Sequence, residues 1–230
     1  MAGREDWYRN TTWTPADRDA FELRLKRTRP GNREQYLRIQ ALVLEETGVP
    51  EYLEPALELI DRSIECSVFN HDRSMSLTQR PRILQRLSRD EEALAAWRES
   101  MAYMDTLPNQ GYAVALDLAE FVIDRRRVDL VAESLEALDW TDPNCVVMPY
   151  AVYGMARARA MLHAMAGRMD LARTCALSAI EAATVDRSPF RRHPTVGVSR
   201  ALSLSDHEEL SRLASWQESG SSLPVLRAQD

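Results

Sequence analysis

Along most of the chain, apolar residues recur at intervals of three and four, and the alternation of apolar with polar positions that marks a strand is nearly absent. This spacing gathers apolar side chains on one face of a helix, so the pattern predicts helices packed against helices. The first helix has a clear start: Thr14 as N-cap, Pro15 at the first helical position and Asp17 in the first turn. Ala20, Phe21 and Leu25 continue at helical spacing until the break at Arg29-Pro30-Gly31. Trp7, Tyr8 and Trp13 precede this helix and read as an aromatic plug over the first helix pair, with partner binding as the alternative.

Four later segments share a register. Ala56, Ala93, Val131 and Ala172 are separated by 37, 38 and 41 residues. Each is followed four positions on, and so on the same helical face, by Ile60, Trp97, Leu135 or Ala176. Recurrence at such a period is the mark of a helical array. With Glu46-Thr47-Gly48 and Ala166-Gly167-Arg168 as turns, and Ala41, Ala119 and Ala160 as small residues in first helices, the chain resembles the tetratricopeptide repeat family. Ala156 to Ala179 is the best single match, and the resemblance spans residues 33 to 183. It implies an all-α fold, a right-handed superhelical array of antiparallel helix pairs, with about 11 to 12 helices given the short connections. Two features depart from the family pattern. Pro81 takes the small position of the third pair, where a shortened or kinked helix is expected, and the turn at Val49-Pro50 is long.

The organisation that follows is an aromatic segment and capping helix at 1–32, helix pairs at 33–187, a loop and C-terminal capping helix at 188–219, and a flexible tail at 220–230. Ser205-Asp206-His207-Glu208 reads as a capping box that opens the last helix, which runs through Trp216.

Charge and cysteine usage narrow the class. A net charge of −6 argues against a general nucleic-acid binder, which needs clustered cations. Lys26 is the one lysine among 29 basic residues, a bias that fits either genome composition or bidentate carboxylate recognition by arginine. Cys66, Cys145 and Cys175 lie far apart with no metal-ligand spacing, as in a reducing cytosol. No stretch approaches 18 apolar residues, so a cytoplasmic protein with no membrane partner is expected.

Candidate chemistry is sparse. The Ser-x-x-Lys, Gly-x-Ser-x-Gly, phosphate-loop and His-Glu-x-x-His motifs are all absent. His207-Glu208-Glu209 reads as a helix start rather than a metal site, and His163 as a core or groove-edge residue. His71 and His193 fall in turn and loop sequence. Arg125-Arg126-Arg127 closes a helix, and the denser run of Arg80, Arg82, Arg86 and Arg89 partly faces solvent. No catalytic residue, metal or cofactor is expected.

The resemblance implies a concave groove lined by the first helix of each pair, and the register points Arg38, Glu45, Thr78, Arg82, Glu120, Arg157 and Met161 toward it. The family's clamp of Lys and Asn on a terminal carboxylate has no counterpart at the matching places. Arg38, Arg82 and Arg157 remain suited to acidic side chains of a peptide or partner protein. The expected function is a non-catalytic protein-interaction module, an adaptor or regulator. The alternatives are an immunity- or inhibitor-type protein with one tight partner and, behind it, an enzyme.

Overall fold

The computed structural model describes residues 6–67, 70–104, 106, 112–140, 148–193, 195–198 and 204–217. Among the described residues there are ten α-helices and no strand, slightly fewer helices than the pattern predicts. No described helix is long and apolar enough to cross a membrane. The chain divides into two compact units, Met1–Phe121 and Val122–Asp230.

Unit 1 holds α1 (Pro15–Arg27), α2 (Pro30–Glu46), α3 (Leu53–Glu65), α4 (Asn70–Arg86), α5 (Asp90–Met104) and most of α6 (Tyr112–Asp124). The start of α1 is built as its sequence predicts. Thr14 and Asp17 cap each other's backbone N–H groups, Pro15 follows, and the Thr12 hydroxyl adds a third bond to Asp17. These hydrogen bonds to the ionised form hold the Asp17 carboxyl below its usual range. The aromatic plug also forms: Trp7 lies 5.3 Å from Phe21 and 5.0 Å from Tyr36, and Trp13 is buried 5.5 Å from Phe21. From α2 to α5 each helix packs on the next, and α2 also packs on α4.

Unit 2 holds α7 (Val131–Trp140), α8 (Pro149–Met165), α9 (Met169–Ala183) and α10 (Leu204–Ala214). The short link Ala166-Gly167-Arg168 folds α9 back on α8, and α10 packs on both. Where α8, α9 and α10 meet, the core is rich in alanine. Ala160, Ala172, Ala176 and Ala179 are fully buried and meet Leu210 and Leu213 of α10.

The repeat register matches the burial. Ala56, Ala93, Val131 and Ala172 are all buried, as are Ile60, Trp97, Leu135 and Ala176, and so are Ala41, Ala119 and Ala160. The backbone adds a second periodicity. Gly48 and Gly167 both sit in the left-handed region at φ 71°, where a side chain is strained. Ser88 at φ 59° and Arg126 at φ 52° hold the same place after α4 and α6. These four residues follow α2, α4, α6 and α8, at intervals of 40, 38 and 41. Three of the turns close with the same backbone hydrogen bond, from Arg89 to Leu84, Arg127 to Val122 and Arg168 to His163.

Two local expectations need correction. α4 runs through Pro81 to Arg86 without ending. Its flanking residues Leu77, Ile83 and Leu84 are fully buried, and that packing outweighs the backbone hydrogen bond proline cannot make. α10 begins at Leu204, so Ser205 lies inside the helix rather than at its N-cap, and the helix ends at Ala214 rather than Trp216. The tail at 220–230 and Cys145 lie outside the described residues.

Candidate functional site

Unit 1 gathers its charge where α2, α4 and α6 come together. On α2, Arg38 and Glu45 are two turns apart and share a face. On α4, Gln79, Arg82 and Arg86 follow at spacings of three and four, and on α6, Asp117 and Glu120 lie three apart. Glu45 is the centre, with only 3% of its surface exposed. The Gln79 side-chain amide donates to its carboxylate at 3.2 Å. Arg82 Nη2 stands 3.6 Å away and Arg86 Nε 3.7 Å, which is ion-pair range but beyond a good hydrogen bond. Arg86 Nη1 also donates to the Glu45 backbone carbonyl at 2.6 Å, where the end of α2 leaves carbonyls without helical partners.

Two groups in this cluster are incompletely served. Arg82 Nε is buried and has no hydrogen-bond partner among the described residues. The Asp117 carboxyl is pushed up to about 6, chiefly by burial; Arg82 opposes this shift while Glu120 and Glu45 add to it. A carboxyl in this range takes up or releases a proton close to neutrality.

The seven residues that the sequence register points to one groove divide in the structure. Glu45 and Arg82 come together in the cluster just described, and Glu120 adds its charge beside Asp117 on α6. Arg38 is apart from it: burial pushes its guanidinium pKa down, nearby Asp72 raises it and Arg9 lowers it. Thr78 spends its hydroxyl on the Ser74 carbonyl at 2.9 Å, within its own helix. In unit 2, Arg157 Nε donates to Asp206 of α10 at 2.9 Å. Met161 packs half-buried against the alanine core that Leu210 and Leu213 complete. Arg38 and Arg157 both stand ten residues before a left-handed turn, and Asp72 and Asp206 are each the third residue of their helix. Arg157 thus ties α8 to α10 by a direct ion pair, whereas Arg38 feels the Asp72 charge without a hydrogen bond to it among the described residues.

Sequence reasoning missed Gln79 and Asp117, and it read Arg86 as part of a solvated stretch. The available signal was spacing: Gln79 and Arg86 flank Arg82 at helical intervals, and Asp117 precedes Glu120 by one turn. Elsewhere the chemistry is weak. Among the described residues no group of three or more His, Cys, Asp and Glu is placed to hold a metal. His71, His193 and His207 are exposed. His163 is half-buried, and burial and the Arg168 and Arg159 charges push its pKa down against the pull of Asp139. Burial raises the Cys66 and Cys175 thiols, which disfavours the nucleophilic thiolate.

Neither a family model, a curated protein nor a solved structure matches this chain.

Proposed function

We propose that this chain is a non-catalytic protein-binding module, a tetratricopeptide-like array of helix pairs whose α2–α4–α6 face in unit 1 receives a partner. The observation that carries the reading is the incompletely paired cluster of Glu45, Arg82, Arg86 and Asp117. Buried charge costs several kcal/mol per ion, and apolar residues of similar size often serve a core at least as well. A cluster that keeps Arg82 Nε without a partner among the described residues and Asp117 poorly stabilised as an anion is better suited to recognition than to holding helices together. A partner carboxylate set against Arg82 completes its guanidinium fork, which fits an acidic peptide or protein surface. Such a protein acts as an adaptor or regulator in the cytoplasm.

Affinity capture with the full-length chain as bait, quantified by mass spectrometry, tests this directly. Wild-type and Arg82→Ala baits are compared at matched melting temperature. A partner held by the wild type and weakened severalfold by Arg82→Ala, with affinity falling as salt is added, fits the proposal. Equal recovery by both baits removes this face from the binding reaction. Arg157→Ala serves as the contrast, since its loss acts on the contact with α10.

A further inference from the structure

A second feature of unit 1 shares no residue with that face. Between α1, α2 and α3 lies a cavity of about 400 Å³, within the size range of small-molecule sites. Its apolar part is Leu25 and Leu37, both buried. Its polar wall carries Lys26 and Arg33, which belong to the most basic stretch of an acidic chain: residues 23–33 contain five cations and no carboxylate. Arg62 and Glu22 also line the cavity but satisfy each other through paired bonds of 2.6 and 3.1 Å. Arg33 Nη2 donates to the Lys26 carbonyl at 3.2 Å, while its Nε is buried without a partner among the described residues. No ion pair engages the Lys26 ammonium among the described residues.

Charge and shape together select a ligand class. The lining cations Lys26, Arg33 and Arg62 exceed the lining carboxylates Glu22 and Glu65 by one charge, which suits a monoanion better than a phosphate dianion. An ammonium and a guanidinium beside an apolar floor suit a carboxylate carried on a short hydrocarbon body. We infer that the cavity between α1, α2 and α3 is a binding site for a small amphiphilic carboxylate, held at its head by Lys26 and Arg33 and along its body by Leu25 and Leu37. This site stands whether or not the α2–α4–α6 face binds a partner, because neither its residues nor its test involve that face.

Hexanoate is the probe, titrated into the full chain by calorimetry at constant ionic strength, with acetate and inorganic phosphate as comparisons. Saturable hexanoate binding, stronger than that of acetate or phosphate, is expected. Lys26→Glu reverses an exposed charge that makes no ion pair among the described residues, in the last turn of α1, so it should lower the melting temperature only slightly and weaken hexanoate about tenfold or more, as should Arg33→Gln. Cys66 also lines the cavity and gives a local readout. Saturating hexanoate should slow its alkylation by N-ethylmaleimide, followed by peptide mass mapping, and leave Cys175 in unit 2 unaffected. Phosphate binding more tightly than hexanoate overturns the assignment, as does unchanged hexanoate affinity in Lys26→Glu. Equal protection of Cys66 and Cys175 overturns it as well.

Discussion

The two units depart from the usual division of side chains in opposite directions. Among the described residues, eight of the nine buried polar side chains lie in unit 1, and nine of the eleven large exposed apolar ones lie in unit 2. Unit 1 joins helices through polar groups: Ser63 donates to the Glu34 carbonyl at 2.8 Å and meets the Ser76 hydroxyl at 2.9 Å, and Glu45 draws in Gln79, Arg82 and Arg86. Unit 2 joins them through size. α9 turns Ala172, Ala176, Ala179 and Ala182 inward and leaves Leu171 and Leu177 outside, because only small residues allow its close approach to α8 and α10. Directional bonds fix geometry at a desolvation cost, whereas close alanine packing fixes it by excluding anything larger. The polar unit is accordingly where a recognition face is proposed.

The comparison can be broken most forcefully at the fully buried Trp97–Phe121 contact of unit 1. Trp97 is fully buried 4.7 Å from Phe121, so Trp97→Ala should cost roughly 3–5 kcal/mol in urea unfolding. A loss well below this would mean that the polar groups, not the apolar core, carry unit 1. In unit 2 the opposite change is the sharper one. Ala160→Leu adds volume where two helices meet and should cost on the order of 1–3 kcal/mol. A variant that melts like the parent would show that the alanine core has room to spare.

A third experiment addresses the cost of buried charge. Burial raises the Asp117 carboxyl from its ordinary value of 3.8 to about 6, so between these values the folded state holds more protons than the unfolded one. Its contribution to stability is fully present below about pH 4 and is lost as pH rises through about 6. Asp117→Asn should remove that loss and stabilise the protein at pH 7.5 by about 1–2 kcal/mol, while the difference from wild type shrinks toward pH 4. A pH-independent difference would mean that burial does not disfavour this carboxylate. The smallest effect belongs to the turns. Ser88→Gly and Arg126→Gly relieve left-handed strain at no evident loss of contact and should each add about 0.5–1 kcal/mol. Gly48→Ala should cost a similar amount. Chemical denaturation of all three variants would show whether the repeated turn tolerates side chains equally in both units.

The sequence by itself determined what depends on neighbours along the chain. The Thr14–Asp17 cap, the glycine turns at 48 and 167 and the inward face marked by Ala56, Ala93, Val131 and Ala172 all follow from residues a few positions apart. Helical periodicity also gave the side of its own helix from which Glu45 and Arg82 each leave. Tertiary structure decided the rest. Ser88 and Arg126 take a glycine conformation that their chemistry does not announce. Glu45 meets Gln79 and Arg86 across 34 and 41 residues, and Arg157 meets Asp206 across 49. Periodicity gives the direction in which a side chain leaves its helix. What it encounters there depends on which other helix has packed alongside, and no local pattern contains that information.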